Sequence, residues 1–243
     1  MAAKDNVMDS LTDQFSEVTI DITEKHKKIL QDFLVTGKYS RRLIRGKQKF
    51  HWPNTVHLLL NITEDGVSIY TEMFDSKSCR SHCEQTLYKT RDIIQERIKG
   101  KSGIEVNIYL SYSPCNTFKD VGCADMLLKL SEDLGTDLNV FFPQLYNTEH
   151  NDYVSKQVAS INKAGLKKLH DSRTVKCDIL EDWEAFYKSF MACIDIHPSP
   201  NQDYLQKLVE MLPKSADVKE VLDGKTQHVQ AQKQDLAKIK LGQ

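Results

Sequence analysis

Alternating apolar and polar stretches divide the chain into short strands and amphipathic helices. Two apolar runs, at 55–62 and 67–74, flank Asp65-Gly66, a pair typical of a hairpin turn. Beyond them, apolar runs of strand length alternate with segments of helical period, which favours a mixed sheet covered by helices. The predicted strands are 55–62, 67–74, 104–112, 138–142 and 174–179, and the predicted helices are 24–35, 82–98, 123–134, 155–169, 183–194 and 204–212.

Composition changes suggest three parts of the chain. Residues 1–22 are acidic and weakly patterned, and we expect a flexible N-terminal arm. Residues 23–213 contain all the predicted strands and the predicted helices named above, and form the predicted domain. Residues 214–243 are charged with sparse apolar positions, and we expect a C-terminal helix or extension that is only partly docked.

Bulk properties narrow the class of protein. The net charge of −1 over 243 residues gives no global signal for nucleic acid. No stretch approaches the roughly 20 apolar residues of a membrane span, so no membrane partner is expected. The polar N-terminus lacks the apolar region of a secretion signal, and the six cysteines are then better explained as free thiols or metal ligands than as disulfides. The predicted compartment is the cytosol or the nucleus.

One local stretch is strongly basic. Residues 38–52 hold six lysines and arginines with no acid, interleaved with aromatic side chains that end at Trp52. Cations beside stackable rings suit single-stranded nucleic acid, because cations follow phosphates and rings stack on bases. A solvated basic loop would show the same composition, so both interpretations stand.

Three residues offer the ligand atoms that zinc prefers. His82 supplies an imidazole, and Cys115 and Cys123 supply thiolates. Three protein ligands leave the fourth position of zinc open, which is typical of a catalytic site. Glu84, two residues after the histidine, could move protons for a metal-bound water. A closed structural site with Cys83 as fourth ligand is the alternative, and the opposed directions of adjacent side chains disfavour it.

These motifs resemble those of zinc nucleobase deaminases, whose signature is His-x-Glu followed by Pro-Cys. Within that class the chain resembles the AID/APOBEC family of polynucleotide cytidine deaminases over roughly residues 30–191. The finer features resemble the fourth APOBEC subgroup and related divergent deaminases. The matching segments are Ser81-His82-Cys83-Glu84, Ser111-Tyr112-Ser113-Pro114-Cys115, Leu145-Tyr146, Ala164-Gly165-Leu166 and the helix with Trp183.

The resemblance implies a cytidine-deaminase-like three-layer α/β fold, a five-stranded mixed sheet flanked by about six helices. It implies zinc as cofactor, single-stranded DNA or RNA as partner, hydrolysis of cytidine to uridine, and a role in editing or antiviral defence. It also implies substrate contacts, which carry over by position to Thr55, Tyr112, Ser113, Tyr146 and Asn147, with Trp52 in the basic stretch before the first strand.

The sequence departs from the family pattern at three places. Seven residues separate Cys115 from Cys123, where the family mostly has two to four, so this loop must bulge out. Tyr112 stands where the family usually has tryptophan, and the loop before His82 lacks the usual asparagine. Two alternatives therefore remain open: a deaminase-fold binding protein with little catalysis, and a deaminase of free nucleosides or of adenosine in transfer RNA.

Overall fold

The structure is a computed structural model that describes residues 23–34, 55–76, 82–116, 122–149, 154–194 and 218–242. It contains five strands, which are β1 (Val56–Glu64), β2 (Val67–Ser76), β3 (Ile104–Leu110), β4 (Leu138–Phe142) and β5 (Val175–Ile179). They form one sheet in the order β2-β1-β3-β4-β5. β1 pairs antiparallel with β2 and β3, whereas β3, β4 and β5 run parallel. The predicted five-stranded mixed sheet is confirmed.

Seven helices lie within the described residues. They are α1 (Glu24–Leu34), α2 (Cys83–Lys89), α3 (Arg91–Ile98), α4 (Cys123–Leu134), α5 (Lys156–Asp171), α6 (Trp183–Cys193) and α7 (Val218–Lys240). Asp65 and Gly66 both have positive φ, 51° and 79°, as the predicted hairpin turn between β1 and β2 requires.

The sheet separates two apolar layers, which gives the α/β fold three layers. Alternate residues of β1 face opposite sides, so Leu59 joins a cluster with α1 and α6, whereas Leu58 and Leu60 join the larger cluster with α2, α3, α4 and α5. Both clusters are closed to solvent, as shown by Phe186 on one side and Val140 on the other, each 0% exposed. Helices cover both faces of the sheet, so the segments that connect strands to helices meet at the edge where the strands end.

Several predicted boundaries differ from the observed ones, and two of the differences lie in segments that lead to the candidate site. The single helix expected over 82–98 is interrupted at Thr90, whose hydroxyl donates a 2.8 Å hydrogen bond to the Leu87 carbonyl. This side-chain bond competes with the helical pattern of the backbone and ends α2 there. The third strand ends at Leu110 rather than at residue 112, because the chain leaves the sheet at Ser111.

Several sequence predictions fall outside the described residues: the arm at 1–22, the basic stretch at 38–52 with Trp52, and the helix at 204–212. The predicted C-terminal helix is present as α7, and its Leu236 and Ile239 are buried in the larger cluster. The proposed domain boundaries remain predictions. Within the described segments, no helix combines the length and the apolar character needed to cross a bilayer.

Candidate metal centre

Four chain segments meet at one edge of the sheet. β1 begins where β2 ends, since Val56 pairs with Ser76. β3 ends at the same edge, because Leu110 pairs with Leu58 near the start of β1, and β4 runs parallel to β3. The segments that follow β2, β3 and β4 therefore leave the sheet side by side. They carry the residues that the sequence singled out for metal and substrate binding.

His82, Cys115 and Cys123 come together at this edge. The Nδ1 atom of His82 lies 3.3 Å from the Sγ of Cys115 and 3.1 Å from the Sγ of Cys123, and the two sulfurs are 3.5 Å apart. The two cysteines are buried, whereas His82 is half-buried. Among the described residues, these three side chains are the ones that lie close enough together to hold a metal ion.

Each of the three ligands stands at the end of a regular element. His82 is the N-cap of α2, and its backbone N–H donates to the Gln85 side chain at 3.3 Å. Cys115 follows β3, and Cys123 is the first residue of α4. The Ala124 N–H donates to the Cys115 carbonyl at 3.4 Å, which ties the start of α4 to the strand end. The backbone therefore fixes the ligand positions before any ion binds.

Cys83, the alternative fourth ligand, is not part of the cluster. Its thiol donates to the Val56 carbonyl at 2.9 Å and lies 3.5 Å from the Phe74 carbonyl, on the side of β1 and β2. Burial, followed by the charge of Glu84, raises the pKa of this thiol well above its usual range. Cys83 is thus a buried neutral thiol, and the cluster offers three candidate ligands among the described residues.

Glu84 lies beside the cluster and is only 5% exposed. Burial, followed by the charge of Cys115, raises the pKa of its carboxyl group. A hydrogen bond with Cys115, followed by burial, raises the pKa of the Cys123 thiol far above its usual range, and a hydrogen bond with Glu84 raises it further. Negative charge is therefore unfavourable here without a cation, and a bound dication would reverse this, since a coordinated thiol is deprotonated.

The long segment between the two cysteines starts and ends at nearly the same point. Asn116 follows Cys115, and a Cβ atom added at Gly122 would lie 1.7 Å from the Asn116 Oδ1. On the other side, a Cβ added at Gly165 of α5 would lie 2.6 Å from the Asn116 Cβ. The Asn116 side chain thus fills a slot that two glycines leave open. The predicted bulge at 117–121 lies outside the described residues, and the sulfurs of the cysteines on either side of it are 3.5 Å apart.

The residues predicted to bind substrate lie at the same edge, apart from Trp52, which is outside the described part of the chain. The rings of Tyr112 and Tyr146 meet edge to face, with centroids 6.0 Å apart. The Tyr146 N–H donates to the Ser113 hydroxyl at 2.9 Å. Asn147 has a positive φ of 49°, and its buried Oδ1 has no hydrogen-bond partner among the described residues. Thr55, half-buried, directly precedes β1. Their roles remain predictions.

Sequence reasoning missed residues that support these segments. Asn162 of α5 is 0% exposed and contacts the segments after β3 and β4. From α7, Gln232 accepts a 2.7 Å hydrogen bond from the Leu145 N–H, and His228 Nε2 lies 3.2 Å from the Pro143 carbonyl oxygen. Of these three residues, only Asn162 could have been found from the sequence, because it is a polar residue on the otherwise apolar face of a predicted helix.

A buried histidine lies on the opposite side of β1. The Nδ1 of His57 lies 2.8 Å from Asp75 Oδ1 and its Nε2 lies 2.9 Å from Asp32 Oδ2, so both ring nitrogens have a structural partner. Burial raises the pKa of Asp75, but hydrogen bonds from His57 and Lys25 outweigh that effect and lower it. This group joins α1 to the sheet beneath the candidate site.

Comparisons with known proteins add a distant structural likeness. A scan against protein-family models finds no match, and a search of curated proteins finds no relative. Among solved structures, the chain is similar to Rib2 deaminase of Aspergillus oryzae, a C-terminal deletion mutant in complex with DARIPP. That similarity has 14% identity, a TM-score of 0.38, and coverage of 82% of this chain and 98% of the other. A second structure of this deletion mutant, at pH 6.5, gives 11% identity, a TM-score of 0.37, and coverage of 82% of this chain and 99% of the other. Likeness at this level carries no argument about substrate.

Proposed function

We propose that this chain is a zinc-dependent hydrolytic deaminase that converts cytidine to uridine in single-stranded DNA or RNA. The observation that carries the proposal is the convergence of His82, Cys115 and Cys123 with the buried Glu84 beside them. One imidazole, two thiols and an adjacent carboxyl group are the set that such a reaction uses.

The ligand spacing fits zinc. Tetrahedral bonds of about 2.3 Å to sulfur and about 2.0–2.1 Å to nitrogen place two sulfurs ~3.8 Å apart and a sulfur ~3.6 Å from a nitrogen. The observed separations of 3.5, 3.3 and 3.1 Å lie within about 0.5 Å of those values. A small opening of the cluster accommodates the ion, and soft thiolates with imidazole favour zinc over the hard cations magnesium and calcium.

Glu84 moves the protons in this mechanism. When bound, zinc supplies Lewis acidity that lowers the pKa of a water toward about 7. The Glu84 carboxylate takes a proton from the attacking water and delivers it to N3 of the cytosine ring. It then helps to protonate the amino group, which leaves C4 as ammonia while the oxygen from water stays as the carbonyl. A carboxyl group can accept a proton in the first step and donate one in the second.

The polynucleotide class rests on the segments after β3 and β4. The Tyr112 and Tyr146 rings lie at the same edge as the metal cluster, where aromatic faces and edges can contact a base. The sequence motifs around Tyr112 and Leu145-Tyr146 are those that resemble polynucleotide deaminases. The basic stretch at 38–52 would bind the phosphates.

The test is uracil formation by purified, zinc-loaded protein on randomised single-stranded DNA, on RNA and on free cytidine. We expect uracil in one of the polynucleotides and none with Glu84→Gln, which keeps the shape and the metal ligands but cannot carry the proton. Zinc-loaded, folded protein that deaminates none of the three would overturn the proposal. Turnover of free cytidine alone would keep the chemistry and reject the substrate class.

A further inference from the structure

Asn162 is the polar residue on the buried face of α5. The other buried residues of this helix are Ala159, Gly165, Leu166 and Leu169. Burying an amide on an apolar face is costly unless its hydrogen bonds are made. The contacts of Asn162 therefore indicate what the residue is for.

The Asn162 side chain joins two segments that the sheet leaves separate. Its Oδ1 accepts a 2.8 Å hydrogen bond from the backbone N–H of Asn116, the residue after Cys115. Its Nδ2 lies 3.3 Å from each of the carbonyl oxygens of Tyr146 and Asn147. The oxygen of the Asn162 side chain thus binds the segment that carries Cys115, and its NH₂ group binds the segment after β4.

The segment after β4 needs this support. Asn147 adopts a left-handed conformation, which is uncommon for residues other than glycine. The Tyr146 peptide is fixed on both sides, since its N–H donates to Ser113 and its carbonyl accepts from Asn162. Without the NH₂ group of Asn162, the carbonyl groups of Tyr146 and Asn147 would each lose a hydrogen-bond donor.

We propose that Asn162 is a positioning residue that holds Tyr146 and Asn147 at a fixed place relative to Cys115, and so sets how a single strand binds beside the metal centre. This inference rests on the proposed function. It assigns Asn162 to substrate binding through the segment after β4 and not to holding the metal.

Asn162→Asp separates the two contacts. The new side chain has the same size and keeps an acceptor for the Asn116 N–H, but it loses at least one of the two donations to Tyr146 and Asn147. Loss of one or two hydrogen bonds corresponds to a rise on the order of tenfold in KM and in Kd for a single-stranded oligonucleotide. Zinc content and the thiolate–cobalt charge-transfer band of the Co²⁺-substituted protein should stay unchanged.

A second pair of variants tests the same segment without touching the core. Asn147→Gly and Asn147→Ala both remove the amide, but alanine is strained at a φ of 49°, whereas glycine is not. We expect the alanine variant to bind the oligonucleotide several-fold more weakly than the glycine variant, with equal cobalt spectra. Equal binding by the two would count against a role for the backbone position.

The outcomes distinguish this inference from the proposed function. If the wild-type protein forms uracil and Asn162→Asp keeps the wild-type KM and Kd, the inference fails and the deaminase stands. If Asn162→Asp alters the cobalt spectrum together with binding, the residue is a general structural support and the inference fails. If the wild-type protein binds a strand but forms no uracil, the deaminase fails while strand binding still decides the role of Asn162. Wild-type protein that binds no single strand overturns both.

Discussion

The slot around Asn116 allows a direct test of how the two cysteines are held. In Gly122→Ala, the new Cβ would lie 1.7 Å from Asn116 Oδ1, 2.7 Å from Asn116 Cγ and 3.2 Å from Asn116 Cα. Real Cβ atoms do not come within 3.0 Å of other heavy atoms, so the Asn116 side chain must move by more than about 1 Å. Among the described residues, Gly165 of α5 confines this side chain on the other side, since a Cβ there would lie 2.6 Å from the Asn116 Cβ.

The expected loss of stability follows from two opposed terms. Overpacking of this kind costs about 1–3 kcal/mol. Gly122 has ordinary angles for any residue, φ −66° and ψ 153°, so alanine there recovers about 0.4–1 kcal/mol through the unfolded state. The net destabilisation lies between about 0 and 2.6 kcal/mol, and its midpoint of about 1.3 kcal/mol is equivalent to a fall of roughly 3–5 °C in Tm for a chain of this size.

A double-mutant cycle identifies the cause. Asn116→Ala removes the two closest atoms, so Gly122→Ala should not destabilise the protein in that background, and the coupling energy should equal the overpacking term of about 1–3 kcal/mol. Urea unfolding of the four proteins without metal gives the free energies, and competition with a zinc indicator gives the affinity of the site. Additive effects would refute the account, because they would show that Gly122 does not act through Asn116.

Three further predictions follow from buried groups at the same edge of the sheet. Burial raises the pKa of Glu84, so the free energy of unfolding of the metal-free protein should fall as the pH rises above about 4.5. Glu84→Gln should flatten that decline in urea unfolding from pH 5 to 8, and this variant should be more stable than wild type at pH 7. The pKa of Asp75 is lowered, so its contribution to the free energy of unfolding is present above pH 3.8 and is lost as the pH falls below that value. Asp75→Asn should be less stable than wild type at neutral pH and should lose less stability on acidification. The same loss of stability at acid pH in both proteins would contradict this. Gln232→Ala removes the acceptor of the buried Leu145 N–H and should cost about 1–3 kcal/mol in thermal or urea unfolding, whereas the exposed Gln234→Ala should cost almost nothing.

The sequence predicted the sheet and the three residues whose side chains converge at its edge. Apolar runs of strand length identify buried strands. The side chains of His82, Cys115 and Cys123 carry the few ligand atoms that zinc prefers, so their presence together indicates a metal site. Each also stands at the boundary of a predicted element, where the ends of neighbouring strands and helices meet. Residue type and position together therefore predicted the cluster before its distances were known.

The supporting contacts could not be predicted in the same way. The hydrogen bond from Asn116 to Asn162 spans 46 positions and the one from Leu145 to Gln232 spans 87. Neither asparagine nor glutamine is restricted to such contacts, and no periodicity relates residues so far apart. The break at Thr90 was missed for a different reason, because threonine is tolerated inside helices and only its hydrogen bond to Leu87 shows that it ends one.

The contact between Gln232 and Leu145 has a consequence for the order in which the protein matures. At a synthesis rate of about 5–20 residues per second, the 87 positions between them take roughly 4–17 s to be made. His82, Cys115 and Cys123 have all been made by then, whereas the Leu145 N–H has no acceptor from α7 until the chain reaches Gln232. The three candidate metal ligands of a growing chain are therefore made early, whereas the segment that carries Tyr146 gains this support only once Gln232 has been made.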